Sequence, residues 1–137
     1  MEVDKSRPDQ PIVYFLLFDN NISDESLLQL LGHMPHLERL NLRRVLVGDP
    51  FAEGVMGFKF TFLSLDDSRL TDEGLRPIGQ ITTLRNLSLN NTRITDAGLR
   101  HLTGLKNLED LYVGNTRATK SGCAMLHQAL PKCQIHY

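Results

Sequence analysis

The stretch "LRNLSLNNTRITDAGLRHLTGLKNLEDLYV", residues 84–113, decides the fold. Leu84, Leu87 and Leu89 stand at the first, fourth and sixth places of a unit, and Leu108, Leu111 and Val113 repeat that pattern 24 residues later. Around the fourth and sixth places apolar and polar residues alternate, which is the period of a strand with one buried face. The spacing then turns helical, with Ile94, Leu99, Leu102 and Leu105 recurring after Thr95 and Asp96. Thr95 suits an N-cap and Asp96 suits the positive end of a helix dipole.

Working outward, the same three places are filled by Phe60, Leu63 and Leu65, by Leu37, Leu40 and Leu42, and by Val13, Leu16 and Phe18. Toward the C-terminus, Ile135 and Tyr137 fill the fourth and sixth places of a sixth strand. The helical phrase also recurs: Leu70, Thr71, Asp72, Gly74 and Leu75 in the third unit, and a shifted Ile22, Ser23, Asp24, Leu27 and Leu31 in the first. Pro77 predicts a shortened or distorted third helix. The fifth unit keeps Thr119 and Gly122 but has Lys120 in place of Asp and Cys123 in place of Leu. In the second unit "RRVLVGDPFAEGVMGFK" replaces the phrase, which predicts a loop or irregular turn, either a functional insertion or, the favoured reading, a decayed repeat. A short strand and two helical turns cannot bury their apolar faces alone, so the units must stack. The expectation is an α/β, right-handed solenoid of about five 24-residue units, with six parallel strands on its concave side and short helices or turns on its convex side.

The LxxLxL strands and the phrases "SRLTDEGL" and "TRITDAGL" resemble leucine-rich repeat proteins, in particular a bacterial type with a Thr-Asp-x-Gly-Leu signature found in planctomycete-like genomes. The closing "ALPKCQI" is similar to the way such arrays end. The resemblance covers residues 12–137, leaving residues 1–11 as an N-terminal arm. It implies a ligand surface on the concave sheet. At the ninth place, where many such proteins stack Asn, this chain has Asn21, Val45, Ser68, Thr92 and Thr116, so a mostly hydroxyl ladder is expected to satisfy the turn backbone.

Composition narrows the partners. Leucine occupies 24 of 137 positions, in keeping with a stacked core, and 15 basic against 16 acidic residues leave a net charge of -1. Nothing draws the whole molecule to nucleic acid or an anionic membrane. No apolar run is long enough to span a bilayer, and the first eleven residues lack the apolar core of a secretory signal, so a cytoplasmic location is the expectation. Cys123 and Cys133 are too few for a disulfide scaffold and are expected to be free thiols.

Side chains at places three, five and seven point away from the core. On this count the concave face carries Phe15, Leu17 and Asp19 on the first strand, then Arg39, Asn41 and Arg43, then Phe62, Ser64 and Asp66. Asn86, Ser88 and Asn90 follow, then Asp110, Tyr112 and Gly114, and finally Gln134 and His136. Aromatic and Arg residues are common interface anchors. The partner-binding set is therefore Phe15, Arg39, Arg43, Phe62, Asp66, Asn86, Asn90, Asp110 and Tyr112. Arg39, Arg43 and Arg44 suit an anion, but cross-strand pairing with Asp66 and Asp67 is the favoured explanation.

No catalytic, cofactor or metal residues are assigned. His33 and His36 flank Pro35 without a Cys or carboxylate cluster, and no GxSxG, HExxH or phosphate-binding glycine loop occurs. The reading is a noncatalytic protein-protein interaction module for an unidentified protein partner. The alternative is a structural protein that self-associates into a homo-oligomer through uncapped edge strands. Six strands about 4.8 Å apart make a sheet roughly 24 Å wide. Its outward residues cover about 300 Å², against about 800 Å² per partner in a standard interface. Either the binding is weak, or loops such as residues 49–58 contribute, or the molecule works inside a larger assembly.

Overall fold

The computed structural model describes residues 13–137, so the expected arm over residues 1–11 lies outside the described residues. Strands β1 (Tyr14–Phe18), β2 (Arg39–Arg43), β3 (Phe62–Ser64), β4 (Asn86–Ser88), β5 (Asp110–Tyr112) and β6 (Gln134–His136) form one parallel sheet in sequence order. Between them run α1 (Asp24–Leu31), α2 (Asp49–Gly54), α3 (Asp72–Ile78), α4 (Asp96–Leu99, continued by one 3-10 turn) and α5 (Lys120–Ala129). Each helix packs against the next, as each strand pairs with the next.

The core lies between these layers. Leu40, Leu63, Leu87 and Leu111 align at the fourth place, and Leu42, Leu65, Leu89 and Val113 follow at the sixth. All are buried. Fully burying such a side chain contributes about 1.5–3 kcal/mol, and stacking makes that burial continuous from one unit to the next.

The first strand corrects the sequence count by one residue. Phe15 pairs with Leu40 and Leu17 with Leu42, so these two face the core, and Phe15 is only 4% exposed. Phe15, expected on the concave face, is a core residue. Tyr14, Leu16 and Phe18 take the concave positions beside Arg39, Asn41 and Arg43. A one-residue slip exchanges the two faces of a strand, and "YFLLF" has no polar residue to set the phase. Each of the first five strands is followed by a residue with positive φ: Asp19, Arg44, Asp67, Asn91 and Asn115. Asp19 thus holds the eighth place, not the seventh.

The slip also moves the ninth place to Asn20, whose Oδ1 accepts from the Ile22 N–H at 2.9 Å. No ladder connects these ninth-place groups. Thr92 and Thr116 instead close their own turns, donating to Leu89 and Val113 carbonyls at 2.7 Å.

The second unit is helical where a loop or irregular turn was expected. Pro50 lies in the first turn of α2, where its missing N–H costs nothing, and Phe51, Ala52 and Val55 fill the core. Asp49 keeps the role of the aspartate in the Thr-Asp phrase. Its carboxylate accepts from the Thr71 N–H at 2.8 Å and from Thr71 Oγ1 at 2.6 Å. Asp72 does the same for Thr95, and Asp96 for Thr119. Asp24 starts the series on the N–H groups of Gly48 and Phe51. Each carboxylate thereby joins one helix start to the next.

The glycine of the phrase makes room for that ladder. A Cβ on Gly74, Gly98 or Gly122 would run into Asp49, Asp72 or Asp96. Pro77 is accommodated in the last turn of α3, which ends one residue later. Both cysteines are free and buried.

Candidate protein-interaction surface

Three groups of side chains make up the concave face. At the N-terminal side the Arg39 guanidinium sits over two rings, 5.7 Å from the Tyr14 centroid and 5.2 Å from that of Phe62. Parallel pairing places these three residues side by side on β1, β2 and β3. Attraction between the cation and both π faces holds Arg39 outstretched.

In the middle the contacts are polar. Asp66 Oδ1 accepts from Ser88 Oγ at 2.6 Å and from the Asn90 N–H at 2.8 Å. Asn90 Oδ1 accepts in turn from the Gly114 N–H at 2.8 Å. These residues join successive strand ends, so Asp66 does not make the expected pair with the arginines. Arg44 pairs instead with Asp19, at 2.8 Å, because both project from strand-end turns one repeat apart.

At the C-terminal side Asp110 is held between neighbours. Asn86 Nδ2 donates to one carboxylate oxygen at 3.2 Å, and His136 Nε2 lies 2.9 Å from the other. The His136 ring stacks on Tyr112 with centroids 4.3 Å apart and planes 10° from parallel. Between the two aromatic groups lies a shallow depression of about 360 Å³, with Asn41, Arg43, Phe62, Asn86 and Tyr112 on its walls.

The structure therefore brings Arg39, Arg43, Phe62, Asp66, Asn86, Asn90, Asp110 and Tyr112 onto one face and removes Phe15 from it. It adds Tyr14, Leu16 and Phe18, the last 49% exposed, and draws in His136. A signal for the missed strand was present. In units two to four the fourth-place leucine lies nine residues before the aspartate of the helical phrase, and nine before Asp24 is Phe15.

Stacked parallel strands, convex helices and repeated leucines define an α/β leucine-rich repeat solenoid, a fold that commonly serves as a protein-protein interaction module. A family model described as "Leucine Rich repeats (2 copies)" matches residues 82–121. Similar solved structures include a leucine-rich repeat protein of Leptospira interrogans, at 23% identity and a TM-score of 0.61 over 80% of this chain. Another is an internalin from Listeria monocytogenes, at 16% identity and 0.58 over 90%. This chain spans 27% and 40% of the lengths of those two structures. No curated protein matches the sequence. Among the described residues no helix is long and apolar enough to cross a membrane.

Proposed function

We propose that this is a noncatalytic protein-interaction module of the bacterial Thr-Asp-x-Gly-Leu type, acting in the cytoplasm and binding a protein partner through its concave sheet. The observation that carries the reading is the pair of pre-set aromatic clusters, Tyr14–Arg39–Phe62 and Tyr112–His136, flanking one depression. Anchors already held in place lose little rotamer freedom on binding, which favours affinity from a small face. Arg43, exposed beside the depression, supplies a charge for a partner carboxylate. Asp66, Ser88 and Asn90, between the clusters, are occupied in joining strand ends, which supports binding over catalysis. Because the flat face is small, neighbouring turns enlarge the contact.

Crosslinked pull-down followed by mass spectrometry, comparing wild type with Phe62→Ala/Tyr112→Ala, tests this. The double variant is expected to lose the captured partner while its melting temperature stays within a few degrees of wild type. Undiminished capture would sink the concave-face assignment.

A second reading, self-association, draws support from the sheet end at β1, where Phe18 and the preceding Val13 are exposed. Light scattering separates the two: a mass that stays monomeric across concentrations excludes self-association.

A further inference from the structure

The turn after each strand carries a feature that the concave-face reading does not use. In "SRLT", "TRIT" and "TRAT" the tenth place is Arg69, Arg93 and Arg117, at intervals of 24 residues, and all three are exposed. The Arg69 N–H donates to the Val47 carbonyl at 2.8 Å and the Arg117 N–H to that of Ile94 at 2.9 Å, so they lie in register along one margin of the solenoid. The step between them is about 4.8 Å, the spacing of the strands they follow.

Among the described residues their charges have no partner of opposite sign. Arg44, Arg76 and Arg85 each pair with a carboxylate, whereas none of these three has one in ion-pair range among the described residues. The carboxylates of the adjoining ladder, Asp72 and Asp96, are already taken by Thr95 and Thr119. Three like charges in neighbouring turns repel one another, a cost the fold bears at a margin where nothing in the packing requires Arg.

The same place in the second unit is Leu46. It is 43% exposed and opens, with Ile22 and Arg69, onto a depression of about 640 Å³, whose one carboxylate, Asp24, already accepts from the Gly48 and Phe51 N–H groups. The margin thus reads as one apolar position followed by three cations, each about 5 Å further on. An α-helix has a pitch of 5.4 Å, so residues about one turn apart on one face match that step, whereas same-face residues of an extended strand are separated by about 6.7 Å.

We propose that this margin is a docking surface for an amphipathic acidic helix of a protein partner. An apolar side chain of that helix sits over Leu46 and Ile22, and carboxylates on its next three turns meet Arg69, Arg93 and Arg117. The surface is separate from the concave face and does not depend on it.

The test uses the full chain and a labelled, end-capped helical peptide with one leucine followed by glutamates four, seven and eleven residues on, read by fluorescence anisotropy at low ionic strength. Saturable binding is expected, with about ten-fold loss in Arg69→Gln/Arg93→Gln/Arg117→Gln, since three exposed ion pairs are together worth about that factor. A similar loss is expected when the glutamates are replaced by glutamine, and a smaller one in Leu46→Ala. The Phe62→Ala/Tyr112→Ala variant should bind the peptide as wild type does. No binding at millimolar peptide, equal binding by the glutamine peptide, or an undiminished triple variant would overturn the proposal. So would tighter binding of a single-stranded oligothymidylate, which would make the stripe a phosphate surface. A circular dichroism melt of the triple variant, expected to match wild type or exceed it through relieved repulsion, shows that any loss is not unfolding.

Discussion

Asp72 shows how one side chain reverses an ordinary rule. Replacing a helical glycine by alanine usually stabilises a helix by up to about 1 kcal/mol. At Gly98 a new Cβ would collide with the Asp72 carboxylate that caps the next helix start. We expect Gly98→Ala to destabilise the protein, and Asp72→Ala to cost about 2 kcal/mol by leaving the Thr95 N–H without its charged acceptor. In the Asp72→Ala background only the Ile94 methyl, 3.1 Å from the new Cβ, stays close, so Gly98→Ala should cost much less than it does in the wild type. Urea unfolding of the four proteins measures this, and simple additivity would contradict the shared contact. The Thr-Asp-x-Gly-Leu phrase is legible as a motif in the sequence. That its Asp and Gly belong to neighbouring units is visible only once the units are stacked.

At the scale of the element, α5 depends on Asp96. Hydrogen bonds from the Thr119 N–H and then its hydroxyl, helped by the charge of Arg100, hold the Asp96 carboxyl below its ordinary range. A lowered folded pKa gives stability that is present above the unfolded value of about 3.9 and is lost as pH falls through the folded one. Asp96→Asn is therefore expected to flatten the acid limb of the stability curve below about pH 4, measured by urea midpoints. An unchanged limb would assign it to other carboxylates.

The far side of α5 and the turn after it bury Cys123 and Cys133. Desolvation, reinforced by the Asp110 charge, raises the Cys133 thiol to about 11, and desolvation with the Asp96 charge also raises Cys123. Both should resist iodoacetamide in the native protein at pH 8 and react once it is unfolded in urea. Rapid native labelling would show that this end of the solenoid opens readily. The position of Cys123 at a leucine place pointed to burial. The charge of Asp110 near Cys133 had no counterpart in the sequence, because it comes from an adjacent unit.

For the whole molecule, linear stacking sets the distribution of stability. Each unit touches only its neighbours, so the end units have support on one side where the middle ones have it on both. Hydrogen exchange followed by mass spectrometry should find the amides of β3 and β4 slower than those of β1 and β6. Uniform protection would instead mean that the chain opens only as a single unit. The same geometry keeps the sheet face small and gives the turn margins their weight, since each added unit lengthens the arginine stripe as much as it widens the sheet.

By itself the sequence determined the architecture. A period near 24 residues, alternating strands and a recurring helix start admit few arrangements other than a stacked array, and five of the six strands face as their pattern predicts, although Tyr137, expected at an inward place after Ile135, is 66% exposed. Tertiary structure decided what periodicity could not. It set the phase of "YFLLF", where every residue is apolar and only pairing with Arg39–Arg43 selects a face. It made a helix of the second unit, where Asp49 keeps its place in the carboxylate ladder without the rest of the phrase. It also chose the partners of Arg39, Arg44 and Asp66. Those contacts cross from one unit to the next, and their distances are fixed only when the repeats lie side by side.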